Sequence, residues 1–421
     1  MHFYKTIIIG AGISGLSAAK LLAERGEEYV LLEGASKPGG LVKCDVVDGH
    51  LYHRVGGHVF NTRVQKVAGW FWEKFNRDEE FLKAQRNAVI LMNNREIGYP
   101  LENHLYMLDD HLQEKILGEI RELERAGTRD PFSYDNFRDF LKGNFGEELY
   151  RLYFEPYNNK IWQTDLSMVA LPWLEGKLPM PDYGEIIRSN KERKTETGMV
   201  HSTFFYPVRG GSQFIADRLA EGLDISYEYG VVSMERRKDS WIINDELTAE
   251  TVIYTGDIRK LAAMIKGAGP GLSPALESLT GLRSNGTSNL LCKTDDTPLS
   301  WLYLPDKNIP AHRIIFTGNF SQGNDPKGGK RSCTVEFSGQ TDLKIMKKTL
   351  LTLPFNLEYI ADNYEPNSYV IQYHGDRERI GKARQLLQDQ GFYLSGRFAE
   401  WEYYNMDKAM ERAMKVVESI K

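Results

Sequence analysis

The stretch "GAGISGLSAA" at residues 10–19 follows an apolar run at residues 6–9 and leads into a helix-like segment. Gly10, Gly12 and Gly15 fit the pattern G-x-G-x-x-G. The first glycine permits a tight turn, the second lets the backbone approach a pyrophosphate, and the third lets the helix pack on the strand. The start of such a helix offers free N–H groups and partial positive charge. The pattern predicts a strand, a phosphate-binding turn and a helix.

An acidic residue supports this interpretation. Glu33 ends the second predicted strand, 18 residues beyond Gly15, where its carboxylate can accept the hydroxyls of a ribose. Ile13 and Ser14, at the predicted helix start, complete the binding segment. NAD and FAD both use this cradle, so the glycines and the acid leave the choice of dinucleotide open.

Composition excludes several other classes of function. The chain has 421 residues, 26% of them charged, and a formal net charge of -5, which favours neither nucleic acid nor an anionic membrane. No apolar stretch approaches the roughly 20 residues of a membrane helix, and the N-terminus lacks a signal-peptide pattern. The isolated Cys44, Cys292 and Cys333 argue against a disulfide framework or zinc site. We expect a cytoplasmic protein with no metal site.

Changes of periodicity along the chain predict the organisation. Residues 5–33 read as strand, helix and strand, and tight hairpins are predicted at Asp48-Gly49 and Asn93-Asn94. Helical spacing follows from about residue 103 to 157, and alternating β-like segments occupy residues 285–340.

The predicted fold class is α/β: a Rossmann-like dinucleotide-binding domain with an inserted helical domain and an antiparallel-sheet substrate domain. The dinucleotide-binding domain is expected to be discontinuous, because its segments are separated by the other two. The predicted ranges are 1–85, 200–260 and 385–421 for the dinucleotide-binding domain, 104–199 for the mostly helical domain, and 86–103 with 261–384 for the substrate domain.

Two further glycine segments resemble a known flavoprotein superfamily. Gly39-Gly40-Leu41, shortly after Glu33, resembles the FAD-binding domain shared by flavin amine oxidases, protoporphyrinogen oxidases and UDP-galactopyranose mutases. In these families a late Gly-Arg segment and a helix start return to the cofactor. The segment "LSGRFAEWEYYNMD" at residues 394–407 looks like that return, which favours FAD over NAD.

Within this superfamily, several separated segments resemble the mutases most. They occur in family order from residue 5 to about 415 and so cover nearly the whole chain. The segments at 204–211 and 301–321 look more like eukaryotic mutases than bacterial ones. The matching stretches are "VGGHVFNT" (55–62), "FEPYNNKIWQTDLSMVALPWL" (154–174), "FFYPVRGG" (204–211), "WLYLPDKNIPAHRIIFTGNFS" (301–321) and "GRFAEWEYYNMD" (396–407).

The resemblance implies three sets of site residues and no metal ligands. The catalytic set, near the flavin and the diphosphate, is His58, Arg313 and Lys177. The substrate-binding set, for uridine, diphosphate and sugar, is Tyr157, Trp162, His201, Tyr303, Tyr369 and Tyr403. The cofactor-binding set is Gly10, Gly12, Ile13, Ser14, Gly15, Glu33, Gly39, Gly40, Leu41, Gly57, His58, Val232, Gly396, Arg397, Asn405 and Met406.

The resemblance also implies the reaction and its partners. A UDP-galactopyranose mutase interconverts UDP-galactopyranose and UDP-galactofuranose, a precursor of cell-surface polysaccharide, through a sugar adduct on N5 of reduced FAD. The implied partners are a UDP-sugar and a cellular flavin reductant, without nucleic acid or membrane, and a homo-oligomer stays open.

The sequence departs from the mutase pattern at three places. Lys177 stands where the family usually has an arginine, His201 replaces an expected asparagine, and no proline follows Tyr369. Two alternatives therefore stay open. One is an FAD oxidoreductase of the amine oxidase or protoporphyrinogen oxidase type, and the other is a flavoprotein that has lost catalysis.

Overall fold

A computed structural model of the chain describes residues 1–171, 180–194 and 203–420. In chain order, its strands are β1 His2–Ile9, β2 Tyr29–Leu32, β3 Cys44–Val47, β4 His50–His53, β5 Phe81–Gln85, β6 Ala88–Met92, β7 Arg95–Gly98, β8 Thr203–Pro207, β9 Ile225–Ser226, β10 Met234–Arg237, β11 Ser240–Ile243, β12 Leu247–Tyr254, β13 Ile265–Lys266, β14 Arg283–Thr294, β15 Trp301–Tyr303, β16 Ala311–Ile315, β17 Arg331–Ser338, β18 Glu358–Ile371 and β19 Phe392–Leu394.

Helices connect these strands. In chain order they are α1 Ile13–Glu24, α2 Gln65–Lys74, α3 Arg77–Glu80, α4 Asp110–Ala126, α5 Phe137–Phe145, α6 Glu147–Leu149, α7 Glu155–Trp162, α8 Tyr183–Glu192, α9 Gly211–Ala220, α10 Leu261–Met264, α11 Gly269–Glu277, α12 Leu343–Leu350, α13 Asp376–Gln388 and α14 Met406–Ser419.

The first sheet is Rossmann-like, and among the described residues it has eight strands. Its order is β13-β10-β11-β12-β1-β2-β9, with β19 beside β12. The central β1 pairs in parallel with both β2 and β12. Ile7 and Ile8 are fully buried, because parallel strands of this kind carry helices on both faces. The predicted mixed α/β fold with a Rossmann-like unit is confirmed.

The second sheet has seven strands within the described residues, in the order β18-β14-β17-β16-β15-β6-β7. Neighbouring strands are antiparallel except β6 and β15, which run parallel. Asn93 and Asn94 form the β6–β7 turn with φ of 50° and 59°, as a two-residue type I′ hairpin requires. The sequence prediction of a mostly antiparallel sheet is confirmed.

A unit of helices, α4 to α8, lies along the chain between β7 and β8. Helix α4 starts where the Asp109 side chain accepts the N–H of Leu112, a standard N-cap. Its buried face carries Ile116, Leu117 and Ile120, which match the predicted helical spacing.

The predicted domain boundaries stay predictions. Strands of the Rossmann-like sheet lie on both sides of the boundary predicted at residue 260. Strand β13, Ile265–Lys266, pairs with β10 at the edge of the Rossmann-like sheet. That sheet therefore extends past residue 260, the end of the predicted middle segment of the dinucleotide-binding domain. In the described part of the chain, no helix is long and apolar enough to cross a membrane.

Replacing Gly15 by alanine is expected to destabilise the fold. A Cβ at Gly15 would lie 1.9 Å from the Gly10 carbonyl oxygen, so the helix and the turn must separate. We expect a loss of about 1–3 kcal/mol in the free energy of unfolding, as for other overpacked sites, measured by urea denaturation. Gly118→Ala in α4 is the control. It meets nothing within 4 Å and should gain about 0.5–1 kcal/mol. Equal effects of both variants would contradict the close packing.

Candidate functional site

The predicted cofactor segments meet at one crossing of backbones. The N–H of Gly39 donates to the Ala11 carbonyl at 2.8 Å, and a Cβ at Gly40 would lie 3.2 Å from Gly12 Cα. A Cβ at Gly396 would lie 2.5 Å from Ser14 Oγ. The structure therefore brings the three glycine segments into contact although they are far apart in sequence.

Glu33 holds the first turn in place. Its carboxylate accepts the N–H of Ala11 at 2.6 Å and the N–H of Ala35 at 2.9 Å. The Lys43 ammonium lies 3.9 Å away. The carboxylate thus lies just after the end of β2, beside the glycine turn. This is the position at which the sequence predicts an acceptor for ribose hydroxyls.

Two helices begin at this crossing without a side-chain cap. Helix α1 follows Gly12, and α14 starts at Met406 after Asn405, and neither preceding residue caps its helix with a side chain. Uncapped N–H groups at a helix start bind anions or polar acceptors. Both helix starts are therefore suited to hold parts of a dinucleotide.

A cavity of about 250 Å³ opens beside the crossing. Nine of the residues predicted from the sequence to form the site line it, and they come from the second sheet, the start of α14 and the segments that connect strands and helices. These nine are Leu41, Gly57, His58, Arg313, Tyr369, Arg397, Tyr403, Asn405 and Met406.

His58 lies on a glycine turn at the wall of this cavity. Its Nε2 is buried and has no hydrogen-bond partner among the described residues. Burial lowers the pKa of His58 to about 4, and the charges of Arg397 and Arg313 act in the same direction. The imidazole is therefore neutral near pH 7, with one ring nitrogen available to a bound group.

Arg313 and two tyrosines form the opposite side. The Arg313 guanidinium donates to the Tyr369 hydroxyl at 3.3 Å. The rings of Tyr369 and Tyr403 stack with centroids 5.7 Å apart. Burial raises the pKa of Tyr369, so its hydroxyl stays protonated. This side combines a cation with an O–H donor.

Arg397 lines the cavity, but its guanidinium also supports the backbone. It donates to the carbonyl oxygens of Tyr404 and Ser368, at 2.5 Å and 2.8 Å for its two terminal nitrogens. It also lies over the Tyr403 ring, 4.7 Å from the centroid. The predicted contact with a pyrophosphate stays a prediction.

The other predicted aromatic residues extend from this side. Trp162 meets the Tyr369 ring edge-on at 5.7 Å. Tyr157 meets Tyr303 edge-on at 5.6 Å, and Arg86 donates to the Tyr303 hydroxyl. Sequence reasoning missed Arg86, because an arginine before a strand carries no local signal of aromatic neighbours.

Val232 is a predicted cofactor residue that does not line the cavity. It is 73% exposed, and its N–H donates to the Asn244 side chain at 2.9 Å. A contact with the cofactor would therefore use its carbonyl or side chain. Lys177 and His201 lie outside the described residues, so their roles stay predictions.

Sequence reasoning also missed Glu336, a fully buried carboxylate behind the cavity wall. It pairs with Arg313 Nε at 2.5 Å and accepts the N–H of Gly56 at 2.6 Å. Its signal was a lone charge inside the strand-like run "CTVEFS", residues 333–338. A charge in such a run is rarely buried without a partner.

Comparison with known proteins supports the interpretation of the glycine segment. The family described as "NAD(P)-binding Rossmann-like domain" matches residues 8–75. Within the described residues, no group of three or more His, Cys, Asp or Glu side chains is arranged to hold a metal ion.

In sequence, the chain resembles both mutases and oxidoreductases. It is 34% identical over 98 residues to a UDP-galactopyranose mutase of Mycoplasma pneumoniae, covering 23% of this chain and 24% of that protein. It is 44% identical to a hydroxyneurosporene desaturase of Rubrivivax gelatinosus, covering 67% of this chain and 60% of that protein. The chain thus spans about a quarter of the first relative and three fifths of the second.

Comparison with solved structures covers far more of the chain than the match to the Mycoplasma mutase sequence. The structure superposes on a reduced UDP-galactopyranose mutase with a TM-score of 0.87 and 23% identity, covering 99% of this chain and 95% of the other. The chain has the fold of a UDP-galactopyranose mutase. The resemblance predicted from separated motifs is confirmed in the fold and in the partial sequence match.

The state of His58 predicts a pH effect on stability. Its pKa is about 4 in the folded chain, below the ordinary 6.5. As the pH falls through this window the unfolded chain takes up a proton that the folded chain does not, so stability falls. His58→Gln should lose less stability than the parent between about pH 7 and pH 5, as measured by urea unfolding without added cofactor. His111→Gln, on the exposed face of α4, controls for loss of an imidazole. Identical profiles for parent and His58→Gln would contradict a neutral buried His58.

Proposed function

We propose that this protein is an FAD-dependent isomerase of the UDP-galactopyranose mutase kind, interconverting UDP-galactopyranose and UDP-galactofuranose. One observation carries the proposal. The cavity that joins the glycine turns to the start of α14 also contains Arg313 and two tyrosine side chains. A cofactor cradle and a set of donors for a phosphorylated substrate therefore share one space.

The residues present fit FAD. The start of α1 after Gly12 would hold the pyrophosphate, and Glu33 would accept the ribose hydroxyls. The start of α14 at Met406 and the unpartnered Nε2 of His58 offer polar atoms to the flavin end. When bound and reduced, FAD supplies a nucleophilic N5 for the anomeric carbon of a sugar.

The protein's own contribution is to orient the diphosphate and stabilise its departure. Arg313 carries a permanent charge, and its terminal N–H groups reach the cavity side beside Tyr369. A guanidinium matches the oxygens of a phosphate with two parallel hydrogen bonds. We assign Arg313 to the diphosphate, with Lys177 as a second cation, so that charge developing on the leaving group is stabilised.

Aromatic side chains supply the remaining surface. Trp162 lies against Tyr369, and Tyr157 lies against Tyr303, so flat apolar faces adjoin the charged side of the cavity. Such faces suit a uracil ring and the apolar side of a hexose. We assign these four residues, with Tyr403 and His201, to the nucleotide sugar. A cellular flavin reductant would keep the cofactor active, and galactofuranose would serve a cell-surface polysaccharide.

The similarity to a desaturase favours a second candidate, an FAD oxidoreductase. The cavity argues against this candidate, because a polyisoprenoid-like substrate has no use for the cation and hydroxyls of Arg313 and Tyr369. An amine substrate would meet a cation of its own sign there.

Purified protein is expected to carry non-covalent FAD. The glycine crossing and the uncapped start of α14 hold the cofactor by hydrogen bonds and packing alone. Heat denaturation should release a yellow compound that chromatographs as FAD, with a flavin spectrum in the native protein. Release of NAD, or no binding after reconstitution with FAD, would overturn the cofactor assignment.

Reduced protein is expected to convert UDP-galactofuranose to UDP-galactopyranose, and nucleotide-sugar chromatography measures this conversion.

Arg313→Lys keeps the positive charge that pairs with Glu336 but loses the two-pronged contact with a phosphate. It should raise the Kd for UDP by roughly tenfold, about 1.4 kcal/mol. Arg283→Gln, an exposed arginine at the start of β14 in the same sheet, is the matched control.

Two results would count against the mutase. Equal conversion by oxidised and reduced protein would remove the need for a reduced cofactor. Stoichiometric peroxide from an amine substrate, without sugar conversion, would favour the oxidoreductase.

A further inference from the structure

Glu336 connects the two walls of the cavity from behind. One carboxylate oxygen, Oε1, accepts the Gly56 N–H at 2.6 Å, and the other, Oε2, accepts Arg313 Nε at 2.5 Å. Gly56 begins the turn that carries His58, so both cavity-lining groups are attached to a single carboxylate. Glu336 itself is fully buried and does not line the cavity.

A β-bulge produces this arrangement. Between β16 and β17, Ala311 is opposite Phe337, yet Arg313 is opposite Glu336. The register therefore shifts by one residue at His312, so that two residues of β16 face Glu336. Bulges re-aim side chains in this way and often lie next to functional sites.

The negative charge of Glu336 is balanced by the positive charge of Arg313. Burial raises the pKa of Glu336, but the Arg313 charge, the neighbouring His312 and the hydrogen bond from Arg313 hold it well below its usual range. His312 Nε2 lies 3.5 Å away, and burial lowers the pKa of this histidine, which is therefore neutral. Of the charged groups within 4 Å of Glu336, Arg313 alone carries a positive charge near pH 7 in the described structure.

We propose that Glu336 is a positioning residue that fixes the Gly56–His58 turn and neutralises Arg313 on the cofactor side, and thereby lowers the reduction potential of bound FAD. Reduction adds negative charge to the flavin, and an unbalanced guanidinium nearby would favour it. Because Glu336 pairs with Nε, the terminal N–H groups of Arg313 stay available to a phosphate. The negative charge of Glu336 at the same time offsets the effect of the Arg313 charge on the flavin. The proposal rests on the FAD assignment above but not on the sugar reaction.

The test measures the potential of the FAD-loaded protein by equilibration with a reference dye. Glu336→Gln keeps an oxygen for the Gly56 N–H but removes the negative charge. We expect a rise of about 30 mV, which is a tenfold change in a two-electron equilibrium. Glu336→Gln/Arg313→Gln is neutral again and should return to the parent's potential.

A matched control separates this effect from loss of a buried carboxylate in general. Asp376 is also buried and also joins a backbone N–H, that of Tyr373 at 2.8 Å, to the guanidinium of Arg379. It does not line the cavity, so Asp376→Asn should leave the potential unchanged. An equal shift in Asp376→Asn would overturn the proposal.

The remaining outcomes are also decisive. An unchanged potential in Glu336→Gln, or a double variant as high as the single one, would overturn the proposal. If Glu336→Gln does not retain FAD, the double variant decides. FAD binding at the parent's potential supports the charge pair, and any other result overturns it. Absence of flavin from the parent protein would instead overturn the cofactor assignment under the proposed function.

Discussion

Close contact between backbones at the glycine crossing is the constraint on which the site depends. A Cβ at Gly40 would be crowded against Gly12 Cα at 3.2 Å, and a Cβ at Gly396 would overlap Ser14 Oγ at 2.5 Å. These segments come from the first turn, the following loop and the last part of the chain, and their contact brings the starts of α1 and α14 together. The cavity opens beside this contact, and Arg313 and Tyr369 of the second sheet complete its wall.

Burial sets the protonation states of two side chains that line the cavity. Burial keeps His58 neutral and keeps the Tyr369 hydroxyl protonated, so both act as neutral hydrogen-bonding groups. Two guanidinium groups line the cavity: Arg313 is balanced from behind by Glu336, and Arg397 donates to the backbone carbonyls of Tyr404 and Ser368. A cleft of this kind can accept an anionic ligand while part of its positive charge is balanced within the protein.

Patterns within a few residues predicted several turns and helices of this structure. They could not predict contacts that depend on how distant strands pair. The turn at Gly10–Gly15 and the hairpin at Asn93–Asn94 each carry their signal within a few residues. The role of Glu336 depends on a one-residue register shift between β16 and β17, which no local pattern encodes. Arg313 and Tyr403, which the resemblance to a family assigned to one site, both line the cavity, because a resemblance over nearly the whole chain carries long-range information.

The strand order also limits when this protein can fold. The central strand β1 pairs along its length with β12, for example Ile9 with Tyr254, and β12 pairs in turn with β19 near the other end. Contacts so distant in sequence form slowly, because the closure of long loops must precede them. During synthesis β1 can therefore pair with β2 early, but its second neighbour, β12, is missing until residue 254 has been made. The glycine turn near the start of the chain is completed among the last parts of the molecule.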